Sequence, residues 1–199
     1  MSGIRIVGVS GSLTGPSRTT ALVAAVVDRI AEQISREAPA ESHVIELADV
    51  LPDLLTGRTR GELGPSAETA LAAVESADIV VAGSPAYRAA YTGLFKHFFD
   101  YVGQYALVDK PIVLTATGGS DRHALLVEHQ MRPLFGFFQA LTLPLGIFAN
   151  EGDFTDYRVT SPELAERIQV STQRAIPLMT YQLRSSGRLR EAIAPVVLA

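Results

Sequence analysis

Apolar residues along this chain fall into two patterns, short unbroken runs and stripes at helical spacing. Ile4–Val9 and Ala77–Ser84 are near-continuous apolar runs, as expected for strands buried on both faces of a parallel sheet. Pro111–Ala116 and Leu143–Phe148 repeat the pattern, and His43–Leu47 is a shorter strand. Helical segments lie between them. Ser17–Glu37 carries Leu22, Val26, Ile30 and Ile34 four residues apart, with Pro39 to stop it. Ala67–Ser76, Thr92–Tyr101, Arg122–Ala140 and Ser161–Leu183 read as further helices, the last kinked or split at Pro177.

Five strands alternating with helices predict a doubly wound α/β fold. Right-handed crossovers then put the ligand-binding loops at the carboxyl ends of the strands. Three of those ends, after Val9, Gly83 and Ala116, carry distinctive loops, and the topology predicts that they converge. Leu51–Ser66 reads as one long irregular connection. With no repeat and no linker in the sequence, 1–185 is expected to form one domain. Beyond it a tail, 186–199, turns from polar to apolar and is suited to packing on a partner subunit.

The first loop, Ser10-Gly-Ser-Leu-Thr-Gly-Pro-Ser-Arg-Thr-Thr20, links a strand to a helix. Backbone N–H groups and the positive end of a helix dipole meet there, which suits a phosphate. Ser10, Ser12, Ser17, Thr19 and Thr20 add hydroxyls, and Arg18 adds a fork of donors. The loop has no Walker lysine for a nucleoside triphosphate with magnesium, and no G-x-G-x-x-G spacing for a pyrophosphate. A hydroxyl-lined nest of this kind fits a compact terminal monophosphate such as that of FMN. The alternative is an ordinary N-capped turn.

In the second loop, Gly83-Ser-Pro-Ala-Tyr-Arg88, Pro85 ends the strand. The N–H groups of Ala86 and Tyr87 are then expected to face the carbonyl and nitrogen acceptors of a flat heteroaromatic ring, with Tyr87 and Arg88 covering it or reaching its edge. The third loop, Thr115-Ala-Thr-Gly-Gly-Ser-Asp121, pairs two glycines that allow close backbone approach. Gly118 and Gly119 would bring N–H groups to the ring's far edge, with hydroxyls from Thr117 and Ser120. Each loop alone is also readable as a simple turn; their recurrence at three expected strand ends gives them weight.

Composition narrows the chemistry. The 199 residues contain no cysteine, which excludes disulfides, thiolate metal sites and a redox dithiol, so electron transfer requires a borrowed cofactor. A net charge of −4 without a basic stripe argues against nucleic acid. The apolar runs are strand-length, and Met1–Arg5 enters the first strand without a signal-peptide pattern, so a cytoplasmic protein without a membrane span is expected. His43, His97, His123 and His129 lack metal-ligand spacing, and no carboxylate pair for acid–base work is evident. Gly8-Val-Ser-Gly-Ser12 approaches a nucleophile elbow but lacks its last glycine. Glu46 reads as an ordinary polar residue near a strand edge, and the Phe95, Phe98, Phe99, Tyr101 and Tyr105 cluster as core or subunit interface.

Taken together, Gly11-Ser12…Ser17-Arg18-Thr19, Ser84-Pro85-Ala86-Tyr87…Tyr91-Thr92-Gly93-Leu94-Phe95-Lys96 and Ala116-Thr117-Gly118-Gly119…His123 resemble the NAD(P)H-dependent FMN reductase family. The resemblance is to the reductase components of two-component alkanesulfonate and methanesulfonate monooxygenases in particular. It implies a flavodoxin-like three-layer fold with a five-stranded parallel sheet. It implies hydride transfer from NADPH or NADH to FMN, and release of reduced flavin to a partner flavin-dependent monooxygenase. It also implies a homodimer or homotetramer built partly from the helix after the Gly-Gly loop.

By the same resemblance, Ser10, Ser12, Ser17, Arg18 and Thr19 hold the phosphate. Pro85, Ala86, Tyr87 and Arg88 flank the isoalloxazine, and Thr117, Gly118, Gly119 and Ser120 close its far edge. No side chain is assigned an acid or base role, because hydride passes directly between the two cofactors. His129 falls where the sulfonate-system reductases carry an inserted residue that makes a π-bulge at the tetramer interface; otherwise it is a helix-surface histidine. Two other functions fit the same fold: an FMN-bound quinone or azo-compound reductase, and a non-enzymatic flavodoxin-type carrier. The mild acidity argues against the carrier.

Overall fold

The computed structural model describes residues 3–193. β1 (Ile4–Ser10) buries Ile4, Ile6, Val7 and Val9 on both its faces, so it occupies an interior position in the sheet. α1 (Arg18–Ile34) returns over one face, its buried stripe of Leu22, Val23, Val26, Val27, Ile30 and Ile34 matching the periodicity of the sequence. β2 (Ala40–Glu46) pairs parallel with β1 at the sheet edge.

The next stretch differs from its expected form. α2 (Leu47–Leu54) begins where the second strand was expected to end, and a short 3-10 turn forms at Arg60–Glu62. Only the remainder of 51–66 is irregular. Leu47, Val50 and Leu54 form a buried helical stripe that outweighs Pro52. Asp53 ties the end of this segment to α3 (Pro65–Ser76): its carboxylate accepts from the Ser66 N–H and hydroxyl, both at 2.7 Å. Arg60 adds ion pairs to Glu68 and Glu75.

β3 (Ile79–Pro85) pairs with β1, and after α4 (Gly93–Asp100) β4 (Pro111–Gly118) pairs with β3. The expected helix over Arg122–Ala140 is not regular. A 3-10 turn at Asp121–His123 leads to a π-helical turn at Val127–Met131, with His129 at its middle, and then to α5 (Arg132–Phe137). The fifth strand is also divided. β5 (Leu141–Thr142) and β6 (Ile147–Asn150) both pair parallel with β4, at its start and its end. Pro144 has no N–H to give to the ladder, and Gly146 lies so close to the π-helical turn that a Cβ there would stand 2.3 Å from Val127 Cγ1.

A short hairpin, β7 (Phe154–Thr155) and β8 (Arg158–Val159), precedes α6 (Pro162–Ser185). α6 is continuous through Pro177, so of the expected kink or split the split does not occur. Pro177 and Gln173 are both exposed, so the Gln173 carbonyl that loses its N–H donor lies on the solvent side. α7 (Arg188–Ile193) folds back on its own chain: Leu189 and Ala192 are buried, and Arg188 grips Asp78 at 2.7 and 3.0 Å. The rest of the tail, 194–199, lies outside the described residues.

The sheet order is β2-β1-β3-β4-β5, with β6 sharing the last position. This is the flavodoxin-like order, whose ligand crevice lies at the carboxyl ends of β1 and β3. One apolar cluster packs α1, α6 and α7 on one face. The other joins α2, α3, α4, α5 and the π-helical turn, with Phe95, Phe98, Phe99 and Phe135 fully buried. Three of the expected aromatic cluster are therefore core, whereas Tyr105 is exposed. No helix among the described residues is long and apolar enough to cross a membrane.

Lys110 sits at the opposite end of the sheet from that crevice, its ammonium donating to the last carbonyls of α3 at Val74 and Glu75. Burial pushes its pKa down to about 8, and the nearby Asp78 only partly opposes this. The unfolded chain, with its ordinary value of 10.5, binds that proton more readily, so Lys110 adds stability as pH rises from about 8 to 10.5. The stability difference between wild type and Lys110→Met, from urea titrations at each pH, should shift toward the wild type over that window by about 1–2 kcal/mol, after allowance for partial solvent access. A difference that stays flat with pH contradicts this.

Candidate functional site

The three distinctive loops meet. Thr92 fastens two of them together. Its hydroxyl donates to the Gly11 carbonyl at 2.8 Å and caps α4 by accepting from the Phe95 N–H, while its own N–H donates to Ser84 Oγ at 3.0 Å. Gly11 admits no side chain here, because a Cβ would lie 2.7 Å from the Phe95 ring. The first and third loops are joined by a buried contact between the Thr19 and Thr117 hydroxyls at 2.7 Å. Thr92→Val, which keeps the shape and removes the cap and the tie, should lower unfolding free energy by about 1–2 kcal/mol in a denaturant titration. A loss within a few tenths would show that water replaces both bonds.

Above these ties lies a cleft of about 370 Å³ lined by Ser12, Thr14, Pro16, Ser17, Arg18, Thr19, Pro85, Ala86, Tyr87, Thr117, Gly118, Gly119, Asn150 and Tyr157. Its volume is that of a small-molecule site. Most of the residues singled out from the sequence stand on its wall. Ser10, Thr20, Arg88 and Ser120 do not. Ser10 is fully buried, its hydroxyl pairing with Thr20 Oγ1 at 2.9 Å, which in turn donates to Glu46. Arg88 is carried away on a tight turn closed by Tyr87 and Ala90, with Arg88 and Ala89 both at positive φ.

The second loop departs from its expected role in one more respect. The Ala86 N–H donates to the Thr117 carbonyl at 2.7 Å and the Tyr87 N–H to the Ala90 carbonyl at 2.8 Å. Both donors expected to face a heteroaromatic ring are therefore spent inside the protein. By contrast, the Gly119 and Ser120 N–H groups donate to no acceptor among the described residues, and a side chain at Gly119 would meet open space.

At the other end, Ser17 caps α1 by accepting from the Thr19 and Thr20 N–H groups at 3.1 and 3.2 Å. That capping uses two donors of the first helical turn. The N–H groups of Ser12, Leu13, Gly15, Ser17 and Arg18 remain without an acceptor among the described residues. A set of free amides around a helix N-terminus forms an anion nest, while the Ser12 hydroxyl beside it already donates to the Thr14 carbonyl at 2.9 Å. Arg18 is the one charged side chain on the cleft wall, and its guanidinium contacts the Glu151 carboxylate at 2.5 Å.

Asn150 and Tyr157 enter the cleft without any sequence motif. Asn150 ends β6, in register with Gly118, and Tyr157 is at the tip of the β7–β8 hairpin, where Asp156 and Tyr157 both take positive φ. A fourth strand end at Asn150-Glu-Gly-Asp153 was the available signal for the first. Nothing local marks the second. No group of His, Asp or Glu among the described residues can hold a metal.

Residues 4–155 match the family model described as NADPH-dependent FMN reductase. The chain belongs to that family. It is 45% identical over 181 residues to NADH-dependent FMN reductase SfnF of Pseudomonas fluorescens, covering 91% of this chain and 95% of that one. Identity to NADH-dependent FMN reductase SfnE of Pseudomonas putida is 47% over 186 residues, covering 92% and 98%. Among solved structures, an oxidoreductase of Corynebacterium diphtheriae superposes with a TM-score of 0.80 at 30% identity, over 89% of this chain and 97% of that one. Membership makes the protein an oxidoreductase that uses FMN and a nicotinamide nucleotide, as the sequence resemblance implied.

Proposed function

We propose that the protein reduces FMN with NADH or NADPH in the cytoplasm and hands the reduced flavin to a partner flavin-dependent monooxygenase. The observation that carries the FMN assignment is the nest of unpaired amides at the α1 N-terminus, opening into a cleft that ends at Gly118 and Gly119. FMN would supply a two-electron acceptor there. Ser12, Ser17 and Arg18 would hold its phosphate, Ser12 through its backbone N–H because its hydroxyl donates to the Thr14 carbonyl, and Ser17 through N–H and hydroxyl. Thr19, whose N–H and hydroxyl are taken by Ser17 and Thr117, would support them from beneath. Pro85, Ala86 and Tyr87 would form one wall of the ring site, through side-chain contact, since the Ala86 and Tyr87 amides are engaged elsewhere. Gly118, Gly119 and Thr117 would form the far edge, where the free Gly119 N–H can donate to the ring. No side chain need move a proton; positioning of the two nucleotides does the work.

Delivery of flavin to a monooxygenase is supported by the π-helical turn at Val127–Met131, where the resemblance to sulfonate-system reductases had put a bulge. The same segment leaves Leu125 exposed, and Phe137 exposed on a groove lined also by Tyr91, Pro133, Leu134 and Phe138, which fits assembly into a homodimer or homotetramer. The reading is tested by NADH and NADPH oxidation with FMN, FAD and riboflavin, together with the flavin content after gel filtration. Turnover with excess FMN by protein that elutes without flavin supports it. Protein that elutes fully loaded and reduces only quinones or azo compounds supports the prosthetic-flavin alternative.

A further inference from the structure

Glu151 stands at the cleft rim, and its carboxylate makes one hydrogen bond, accepted from Arg18 Nη2 across a sequence separation of 133. The side chain is 64% exposed and has no other hydrogen-bond partner among the described residues, so the fold does not need it for packing. The turn that presents it is nevertheless built. Asn150 Oδ1 accepts from the Gly152 N–H at 2.9 Å, and Asp153 Oδ2 accepts from the Asn150 N–H at 2.8 Å. Asn150 Nδ2 donates to Asp121 Oδ1 at 2.9 Å, which ties the turn to the loop after β4, and the Asp153 carbonyl accepts from Thr160 and Ser161. A hydrogen-bonded turn therefore holds a negative charge on the one cation that lines the cleft among the described residues.

We propose that Glu151 determines how tightly the phosphate of FMN is held. The proposal rests on the FMN-reductase reading above. A phosphate at the α1 N-terminus must share Arg18 with a carboxylate already bound to it, and it also meets that carboxylate as a like charge. Both effects weaken FMN binding, and neither touches the ring, so they act alike on oxidised and reduced flavin. For an enzyme whose product is a flavin that must leave, such weakening favours release, since affinity differences within one site are expressed mainly in the off-rate. Riboflavin, lacking the phosphate, is blind to Glu151.

The test compares wild type with Glu151→Gln in the full chain, measuring the Kd of FMN and of riboflavin by fluorescence titration at low and physiological salt, with kcat and KM for FMN. Glu151→Gln should bind FMN about three- to fivefold more tightly, in the range of an exposed charge interaction. It should also lower KM for FMN, and the difference should shrink with added salt. Riboflavin should bind both proteins alike. Unchanged FMN binding in a variant that still turns over FMN overturns the role of Glu151 alone, as does an equal change for FMN and riboflavin. Failure of the wild type to bind either flavin overturns the reductase reading and this inference with it.

Discussion

Arg18→Ala should raise the Kd of FMN by about tenfold to fortyfold and leave that of riboflavin within about twofold. The expectation starts from the chemistry of the nest. Five backbone amides of the first loop and the α1 N-terminus have no acceptor among the described residues, but they are neutral donors, and Arg18 is the one formal positive charge on the wall among those residues. A charge-assisted hydrogen bond from guanidinium to phosphate contributes about 1.5–3 kcal/mol. Because Arg18 is part-exposed and shared with Glu151, the lower half of that range is the better guide. The contrast between the two flavins separates electrostatics at the phosphate from any general loosening of the site, which would affect both. Equal losses for FMN and riboflavin would remove Arg18 from the phosphate site.

That nest is legible in the sequence because each of its parts is local. The strand Ile4–Ser10, the N-cap at Ser17 and the helix after it are encoded within one continuous stretch, and the parallel topology then dictates which strand ends share a crevice. What lies beyond local reach is which donors the fold keeps for itself. Ala86 and Tyr87 follow a strand end as expected, yet one amide closes onto Thr117 of the neighbouring strand and the other closes its own tight turn with Ala90. Ser10 is similar. Its position at the end of β1 is evident, but its hydroxyl turns to Thr20 and away from the cleft.

Asn150, Glu151 and Tyr157 were harder to foresee for a different reason. They reach the nest only because β6 pairs with the far end of β4, after a break at Leu143–Gly146 that divides the fifth strand, and because a six-residue hairpin then projects back toward α1. α2 was hidden by Pro52, a helix breaker in the abstract that a buried Leu47, Val50 and Leu54 stripe overrides. In each case tertiary pairing decides against the local signal.

Removing His129 should convert the π-helical turn at Val127–Met131 into regular helix and, with it, change both assembly and the use of flavin. A π-helical turn holds one residue more than the α-helix needs, and its wider backbone persists where neighbouring packing requires it. Here that packing is visible. Leu126, Val127 and Met131 are buried on the sheet side, Val127 against Gly146, while Glu128, His129 and Gln130 are exposed on the opposite side. Deleting one residue removes the excess that the π-helical turn absorbs, so the flanking segments keep their phase while the exposed Glu128–Gln130 face between Leu125 and Phe137 is rebuilt. A subunit contact built on that face is lost, as read by light scattering. The expected functional result is slower release of reduced flavin, with NAD(P)H oxidation now dependent on a second electron acceptor. His129→Ala, which keeps the residue count and therefore the bulge, serves as the control and should retain wild-type assembly. A deletion variant that folds, assembles, sheds FMN and turns over like the wild type would reduce His129 to a surface histidine. It would also move the preferred function to a reductase with a resident flavin, because the bulge is the residue-level feature that favours flavin as a substrate.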